Sequence, residues 1–458
     1  MATPDELLKS AKTVHFVGIG GSGMSPLAEI LHAQGYAVTG SDRSESDNFN
    51  RVKAMGARVA LGHDANNVKG ADLVVYTAAV NMENPELVAA QALGIPMLER
   101  AKLLGAITRT YPQTVGVAGT HGKTTTTSMI SQILLEADLD PAIFIGGRLP
   151  LINANGRAGH GDVMVCEACE FMDHYLEMTP AVAIILNVDA DHLNYFGTLE
   201  NVIRSFGTFA SQATGQIIYN AADANTVKAV EGLTNAPLIS YGFEDGCDWC
   251  AKNVRFENGS YAVYDLYYKG ELFAPIALGV PGEHNVQNSM AAAAAAHLCG
   301  ATAQQIADGL AHFTGAGRRF EFLGTFGGVT IVDDYAHHPT EIVATLGAAK
   351  KLPYKRVWAV FQPFTYTRTE RHLHEFAEAL ALADTAIVTD ILGSREVNTS
   401  GVHSKQITDL MTNGVYLPDF PAVTDYIAAH AQEGDLVLTM GGGDIYKCAR
   451  MMAKRLSE

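Results

Sequence analysis

The sequence contains no apolar run long enough to cross a bilayer, and its first ten residues lack the basic and then apolar order of a secretion signal. It also lacks a basic patch: no run of cations is longer than Lys350-Lys351, and the formal net charge is −17. Such a charge disfavours binding to nucleic acid or to an anionic membrane surface. We therefore expect a cytoplasmic protein that has neither nucleic acid nor a membrane as a partner.

Cysteine is sparse, and its spacing gives no disulfide framework. Four of the six cysteines form two C-x-x-C pairs, Cys166/Cys169 and Cys247/Cys250. A zinc ribbon would need the two pairs close together in the fold. The first pair lies in a predicted apolar strand, which would point its members to opposite faces, and we interpret both as buried thiols. The second pair lies in a polar loop and could bind a metal only with ligands from elsewhere.

The chain is too long for a single core: at 458 residues, 48% of them hydrophobic, the usual domain size predicts about three domains. Strand and helix patterns alternate throughout, which is typical of an α/β fold. A turn at Tyr111-Pro112 and a glycine-rich, charged stretch from Gly315 predict domains at 1–111, 112–314 and 315–458. We expect Rossmann-like first and last domains and a central P-loop ATPase-like domain with an antiparallel β-meander between residues 238 and 282.

The most specific motif runs from Val115 to Ser128, V-G-V-A-G-T-H-G-K-T-T-T-T-S. A strand, a tight loop and a helix turn backbone N–H groups and a helix N-terminus toward a bound anion. Lys123 can reach the β- and γ-phosphates, and the Thr124 hydroxyl can bind Mg²⁺. Val117 replaces the first glycine of the general P-loop, so this loop is a shortened variant. A structural turn with a surface lysine is the alternative, but four consecutive threonines suit a helix start poorly, and we predict ATP binding.

A second glycine motif follows the first predicted strand. Gly18, Gly20 and Gly23 form G-x-G-x-x-G between a strand and a helix, and Asp42 closes the next strand at the spacing of a ribose-binding acid. A dinucleotide cofactor such as NAD is the ordinary interpretation. The loop itself specifies only a diphosphate on a helix N-terminus, so its ligand stays open on the motif alone.

Polar residues follow two further predicted strands of the central domain. Glu167 and Glu170 follow one of these strands. The segment I-I-L-N-V-D-A-D-H-L places Asn187, Asp189, Asp191 and His192 at the end of the other. Ligands of open α/β sheets gather at the carboxyl ends of strands, so we expect these residues to face the phosphate loop. Glu167 and Thr124 would supply the oxygen ligands that Mg²⁺ prefers. His192 is a weaker magnesium ligand, and a helix-cap role explains it equally well.

Further candidate residues lie later in the chain. Asn285 and Asn288 share one face at the start of an alanine-rich helix, where they either cap the helix or contact an adenine edge. In the third domain a predicted strand ends in Asp333-Asp334-Tyr335, and two histidines follow it. These positions are again the carboxyl ends of predicted strands, where ligands of an α/β domain bind.

The order of the motifs resembles that of a known family. G-T-H-G-K-T-T-T-T, N-V-D-A-D-H, G-E-H-N-V-Q-N, G-A-G-R-R-F and D-D-Y-A-H-H-P-T-E follow one another as in the ATP-dependent Mur ligases of peptidoglycan synthesis, and the resemblance covers essentially the whole chain. It implies a ligase that uses ATP and Mg²⁺ to join L-alanine to the lactyl carboxylate of UDP-N-acetylmuramate through an acyl phosphate. The absence of lysine between Leu193 and Gly215 resembles the alanine-adding branch. A monomer or a homodimer is expected.

The resemblance also implies roles for individual residues. The UDP-sugar would be bound by Gly18, Gly20, Gly21, Ser22, Gly23, Met24 and Asp42. ATP would be bound by Gly119, Thr120, His121, Gly122, Lys123, Thr124, Thr125, Asn285, Asn288, Arg318 and Asp333. Mg²⁺ would be held by Thr124, Glu167 and His192, and L-alanine would be received near His338 and Arg368. Lys123, Glu167, His192 and Arg318 would be catalytic.

Three other functions remain open from the sequence. A relative within the same class would attach a recycled murein tripeptide to the same UDP-sugar, and it would need a roomier third-domain pocket. An NAD-dependent dehydrogenase would explain Gly18 to Asp42 but would leave Gly119 to Thr127 without a role. A non-catalytic nucleotide sensor would bind ATP without turnover.

Overall fold

The computed structural model describes residues 2–78, 80–394 and 396–458, with the side chain of Asn194 also outside the description. The chain divides into two compact units. The first unit contains the residues up to Lys252 together with Asp265–Pro275 and Gln287–Leu310, and the second contains Asn253–Tyr264, Ile276–Val286 and Ala311–Glu458. Among the described residues, no helix combines the length and the apolar character needed to cross a membrane.

The first part of the chain forms a five-stranded parallel sheet in the order β3-β2-β1-β4-β5. Its elements are α1 (Pro4–Ser10), β1 (Thr13–Val17), α2 (Ser25–Ala33), β2 (Ala37–Asp42), α3 (Asp47–Ala54), β3 (Arg58–Leu61), β4 (Leu73–Tyr76), α4 (Pro85–Ala92), β5 (Met97–Glu99) and α5 (Arg100–Thr108). The chain reverses its direction across the sheet after β3, so the loop that follows β1 lies at the switch point, where ligands of such sheets bind.

A buried carboxylate lies within this first sheet. Glu86, in the first turn of α4, accepts hydrogen bonds from the Ser41 hydroxyl at 2.5 Å and the Asn67 amide at 2.6 Å. His15 Nε2 and His63 Nδ1 approach the same carboxylate at 3.6 and 3.3 Å. Burial opposes ionisation, but the attraction of His15 and the hydrogen bonds from Ser41 and Asn67 outweigh it and lower the pKa of Glu86 to about 2.

The low pKa of Glu86 predicts an acid-dependent stability. A carboxyl whose pKa falls on folding, here from 4.5 to about 2, stabilises the native state above pH 4.5 and loses that contribution as the pH falls toward 2. The loss amounts to about 3 kcal/mol. We expect urea unfolding midpoints of the wild type to fall between pH 5 and pH 3 more than those of Glu86→Gln. Glu83→Gln, at an exposed position three residues away, should follow the wild type; parallel losses in all three proteins would contradict the prediction.

The middle of the chain forms a ten-stranded sheet in the order β15-β14-β13-β12-β11-β10-β6-β9-β7-β8. Its elements are β6 (Gln113–Ala118), α6 (Lys123–Glu136), β7 (Ala142–Leu149), β8 (Ala154–Arg157), β9 (Val163–Glu167), β10 (Val182–Ile185), α7 (Leu193–Phe196), α8 (Leu199–Ser211), β11 (Gln216–Asn220), α9 (Ala224–Val230), β12 (Leu238–Gly242), β13 (Trp249–Glu257), β14 (Tyr261–Tyr268), β15 (Glu271–Pro281), α10 (His284–Leu298) and α11 (Ala303–His312). Short 3₁₀ segments cover Pro150–Ile152 and Phe171–Glu177. The neighbours of β6 are β9 and β10, so the loop after β6 lies at the switch point of this sheet.

The predicted meander corresponds to β13, β14 and β15, which are successive neighbours in the sheet. Asn258-Gly259 and Lys269-Gly270 make the two turns, with φ of 47° and 87° and of 50° and 82°. Paired positive φ values are those of tight hairpin turns, in which asparagine and glycine are favoured. In the first unit Trp249 packs against the rings of Tyr268, Phe273 and His297, with centroids 4.5, 4.9 and 5.6 Å away.

The last part of the chain forms a six-stranded sheet in the order β16-β17-β21-β18-β19-β20, in which only the β16–β17 pair is antiparallel among the described strands. Its elements are β16 (Glu321–Phe326), β17 (Val329–Asp334), α12 (Pro339–Lys350), β18 (Val357–Phe361), α13 (Tyr366–Arg371), α14 (Leu373–Leu380), β19 (Thr385–Val388), α15 (Lys405–Thr408), β20 (Gly414–Tyr416), α16 (Phe420–His430), β21 (Leu436–Met440) and α17 (Tyr446–Ser457). The strands β17, β18 and β21 are buried along their whole length, as expected of a parallel sheet covered on both faces.

The predicted α/β class is confirmed, and the described residues form three sheets, whereas the interpretation of the first cysteine pair was wrong in part. Cys166 is buried in β9, but that strand ends at Glu167, so Cys169 lies in the following segment and is partly exposed. The chain leaves the sheet after Glu167, so the alternation of faces in a strand does not extend to Cys169. The six cysteines are free thiols.

Candidate active site

The phosphate loop connects β6 to α6 through Gly119 to Gly122. Gly119 has φ 150° and Gly122 has φ 85°, values that favour glycine. A Cβ atom at Gly119 would lie 2.8 Å from Leu186 Cβ, and one at Gly122 would lie 2.6 Å from Asn288 Oδ1. Gly119 is therefore favoured by backbone conformation and by space, and Gly122 mainly by backbone conformation.

Residues after β10 hold the phosphate loop in place. The Asn187 side chain accepts from the His121 N–H at 2.8 Å and donates to the His121 carbonyl at 3.0 Å. The Thr120 N–H donates to the Asn187 carbonyl at 3.0 Å, and the Thr120 hydroxyl accepts from the Asp189 N–H at 2.9 Å. These four hydrogen bonds fix the backbone of Thr120 and His121 before any ligand binds.

Lys123 is the cation of this loop and begins α6. Its Nζ donates to the carbonyls of Gly119 and Thr120 at 2.5 and 3.1 Å and lies 2.8 Å from Glu170 Oε2. Burial opposes the charge on Lys123, but the attraction of Glu170 outweighs it and raises the pKa of Lys123 above its ordinary value. The ammonium group is therefore charged and already aimed along the loop. Glu170, 4% exposed, is its counter-ion.

Glu167 and Thr124 come together at the start of α6. The Thr124 hydroxyl donates to Glu167 Oε2 at 2.9 Å, and the Gly146 N–H donates to the same oxygen at 2.8 Å. A separation near 2.9 Å between two oxygens suits neighbouring ligands of an octahedral ion with metal–oxygen distances of about 2.1 Å. A carboxylate and a hydroxyl are also the donors that Mg²⁺ prefers, so these two residues fit that ion.

His192 lies at the N-terminus of α7 with φ 53°. Its Nε2 is 3.7 Å from Asp191 Oδ2, and its ring centroid is 4.9 Å from that of Phe171. Phe171 directly follows Glu170, so His192 borders the segment that bears the counter-ion of Lys123. His192 occupies the N-cap position, but its side chain makes no capping hydrogen bond to the described backbone of α7.

The glycine-rich loop of the first sheet runs from Gly18 to Met24, the residue before α2. The Asp42 carboxylate accepts from the Gly20 N–H at 2.9 Å, so this acid holds the loop itself. The Gly21 N–H donates to the Gly18 carbonyl at 3.1 Å, and the Met24 N–H donates to the Gly21 carbonyl at 2.9 Å. These bonds curl the loop into consecutive turns ahead of the helix.

Two asparagines of α10 were predicted near the ATP site. Asn288, in the first unit, places its side chain against Gly122 of the phosphate loop. Asn285, in the second unit, donates from Nδ2 to the Pro281 carbonyl at 2.8 Å. Only Asn288 is thus brought to the loop by a described contact, whereas the described bond of Asn285 is to the backbone before its own helix.

In the second unit Arg318 has φ 60° and a densely bonded guanidinium group. Its Nε donates to Asp333 Oδ2 at 2.9 Å, and its two terminal nitrogens donate to the carbonyls of Gly443 and Gly441 at 2.8 Å each. Burial raises the pKa of Asp333, against the lowering effect of Arg318 beside it. The two predicted ATP contacts of the third sheet therefore form one pair at the end of β17.

The two predicted amino-acid contacts also lie in the second unit. His338 is buried at the N-terminus of α12, and its ring centroid is 5.1 Å from that of His372. The His372 N–H donates to the Arg368 carbonyl at 3.1 Å, so Arg368 lies one turn earlier on α13. The helix that bears Arg368 is therefore next to His338.

Two residues of the phosphate site were not among the predicted binders. Asn187 fixes His121, and Glu170 pairs with Lys123. Their positions at the ends of strands β10 and β9 were the available signal, because both occur in the polar clusters that follow these strands. Which member of a cluster turns toward the loop depends on backbone direction, which the sequence pattern does not give.

Three family models match the chain: "Mur ligase family, catalytic domain" over residues 13–112, "Mur ligase middle domain" over 117–296, and "Mur ligase, glutamate ligase domain" over 318–443. A UDP-N-acetylmuramate–L-alanine ligase of Caldanaerobacter subterraneus subsp. tengcongensis is 44% identical over 446 residues, covering 96% of this chain and 97% of the relative. The enzyme of the same name from Acetivibrio thermocellus is 44% identical over 450 residues, covering 97% and 96%.

Solved structures agree with these relatives. The UDP-N-acetylmuramate-alanine ligase MurC of Thermotoga maritima superposes with a TM-score of 0.82 at 28% identity, covering 97% of this chain and 98% of that one. A murein peptide ligase of Psychrobacter arcticus gives a TM-score of 0.72 at 25% identity, covering 98% and 99%. The resemblance inferred from the motifs is confirmed: the chain belongs to the Mur ligase family.

Proposed function

We propose that the protein joins L-alanine to the lactyl carboxylate of UDP-N-acetylmuramate, with ATP as the energy source and ADP and phosphate as products. The observation that carries this proposal is the phosphate loop, where a largely buried lysine and a Thr124–Glu167 oxygen pair lie at the switch point of a sheet. The names of the relatives at 44% identity over nearly the whole chain support the choice of substrates.

In the first step the lactyl carboxylate attacks the γ-phosphorus of ATP. A phosphorus–oxygen bond forms, the bond from that phosphorus to the β–γ bridging oxygen breaks, and ADP leaves an acyl phosphate behind. Both reactants are anions, so the barrier is mainly electrostatic. Lys123 supplies positive charge at the γ-phosphate, and the N-terminus of α6 directly behind the loop binds the remaining phosphate oxygens.

In the second step the free amine of alanine attacks the acyl carbon, and the bond from that carbon to the phosphate oxygen breaks. The nitrogen then loses a proton, which His192 or a nearby carboxylate accepts. His338 and Arg368 receive the amino acid, with Arg368 pairing with its carboxylate. Water must be kept from the acyl phosphate, because hydrolysis would waste it.

The remaining groups bind the two nucleotides. The loop from Gly18 to Met24 binds the diphosphate of the sugar nucleotide, with its uridine near Asp42. Asn288, which contacts Gly122 of the phosphate loop, borders the adenine of ATP. Thr124 and Glu167, with His192, would hold Mg²⁺, which would supply charge neutralisation at the transferred phosphoryl group.

A phosphate-release assay tests the proposed function. We expect phosphate only when ATP, Mg²⁺, UDP-N-acetylmuramate and L-alanine are all present, because the amine is needed to resolve the acyl phosphate. Glycine, L-serine and a murein tripeptide serve as alternative acceptors in the same assay. Preference for the tripeptide would replace alanine addition by peptide recycling, and release that needs no sugar nucleotide would overturn both.

A further inference from the structure

One element of the first unit contacts both the glycine-rich loop and an acid beside the phosphate loop: the antiparallel hairpin of β7 and β8, which pair through Ile143 with Arg157 and Phe144 with Gly156. Neither the phosphate loop nor the glycine-rich loop includes any part of this hairpin. Its two ends make different contacts, one with an acid of the ATP site and the other with the loop assigned to the sugar nucleotide.

The β7 end of the hairpin contacts Glu167. Strand β7 runs parallel to β9, pairing Phe144 with Cys166, so that Gly146 comes level with the end of β9. The Gly146 N–H then donates to Glu167 Oε2 at 2.8 Å. A Cβ atom at Gly146 would lie 2.8 Å from the same oxygen, so this close approach requires glycine. The hairpin is thereby fixed to the acid that pairs with Thr124.

The β8 end contacts α2 and α3, two helices of the first sheet's part of the chain. Arg51 of α3 donates from Nη1 to the Asn153 carbonyl at 3.2 Å and pairs through Nη2 with Glu29 of α2 at 3.0 Å. A Cβ atom at Gly156 would lie 2.4 Å from Pro26 Cβ, so α2 packs directly on β8. The helix α2, which follows the glycine-rich loop, therefore packs against the hairpin.

Asn155 makes the contact with the glycine-rich loop itself. Its side chain is 8% exposed, and its Nδ2 donates to the Ser22 carbonyl. A trans peptide directs its C=O and its N–H to opposite sides. Holding the Ser22 carbonyl against Asn155 therefore turns the N–H of Gly23 away from the hairpin. Within the described residues, that Gly23 N–H has no hydrogen-bond acceptor.

We propose that Asn155 is a positioning residue for the sugar-nucleotide site: it fixes the Ser22–Gly23 peptide so that the Gly23 N–H faces the diphosphate. The inference rests on the proposed function in taking a uridine diphosphate group as the ligand of this loop. Asn155 acts through the loop backbone, so it should govern affinity for the diphosphate and leave the ATP site unaffected, although the hairpin reaches both.

Titration calorimetry on the full chain tests this with UDP as one probe and a non-hydrolysable ATP analogue as the other. Asn155→Asp keeps the shape of the side chain but removes the donor, and Asn155→Ala removes both. We expect the Kd for UDP to rise at least about fivefold in each variant, the usual effect of losing a buried hydrogen bond. The Kd for the ATP analogue should stay within about twofold, as for independent sites.

Asn235→Ala is the matched control, because its amide also donates to a backbone carbonyl, that of Ala213 at 2.9 Å. It should change neither affinity. Unchanged UDP binding in Asn155→Asp, or an equal loss of both affinities in the Asn155 variants, would overturn the inference. Wild-type protein that binds UDP but releases no phosphate in the complete assay would contradict the proposed function alone.

Discussion

Lys123→Ala is expected to lower the turnover number by at least ~10²-fold, the usual effect of removing one charge that stabilises a developing anion. The ammonium group lies within the phosphate loop, 2.8 Å from Glu170. There it would stabilise the negative charge of the transferred phosphoryl group. Phosphate release with saturating substrates measures the effect. Lys69→Ala, at an exposed position, should leave turnover unchanged.

Stability complicates this experiment, because Lys123→Ala leaves the carboxylate of Glu170 buried without its cation. Removing one partner of a buried ion pair typically costs about 3–5 kcal/mol. The double variant Lys123→Ala/Glu170→Gln removes both charges and should recover most of the thermal stability without recovering turnover. Recovery of turnover along with stability would show that Lys123 serves only the fold, and would remove it from the catalytic residues.

Glu167→Gln is expected to give the second largest loss, again on the order of 10²-fold in turnover. The substitution keeps the size of the side chain and one oxygen, but it removes the negative charge that a divalent cation needs. The Mg²⁺ concentration for half-maximal rate should therefore rise, and excess Mg²⁺ should restore part of the activity. Steady-state rates over a Mg²⁺ series measure both effects.

Glu231→Gln, at an exposed position, provides the matched control for charge and should keep the wild-type Mg²⁺ dependence. Because Glu167 also accepts the Gly146 N–H, circular dichroism and the unfolding midpoint of the variant should be recorded. A variant with wild-type stability and an unchanged Mg²⁺ dependence would exclude Glu167 as a metal ligand.

The sequence predicted the parts of the fold that depend on local pattern. Glycines in fixed positions after apolar strands identified both loops, and Gly119 and Gly122 occupy conformations that favour glycine. The meander followed from Asn258-Gly259 and Lys269-Gly270, which supply the positive φ values of tight turns. In each case a residue type with a distinct backbone preference lies where the chain turns.

Contacts between distant segments were not predictable in the same way. Glu170 and Asn187 are each ordinary polar residues after a strand. Only the three-dimensional arrangement shows that Glu170 pairs with Lys123 and that Asn187 accepts from the His121 N–H. Asn155 lies 133 positions from Ser22 in the chain. No periodicity links positions so far apart, because their meeting depends on the order of strands in two sheets.

The two tryptophans of the chain fall one in each compact unit. Trp249 is packed among aromatic rings in the first, and Trp358 is buried in β18 of the second, where its indole N–H donates to Asp435 at 3.0 Å. Tryptophan fluorescence, excited selectively over tyrosine, would thus report on the first unit in Trp358→Phe and on the second unit in Trp249→Phe. Thermal unfolding followed by tryptophan fluorescence in these two single-tryptophan variants can therefore show whether the two units unfold together or in sequence.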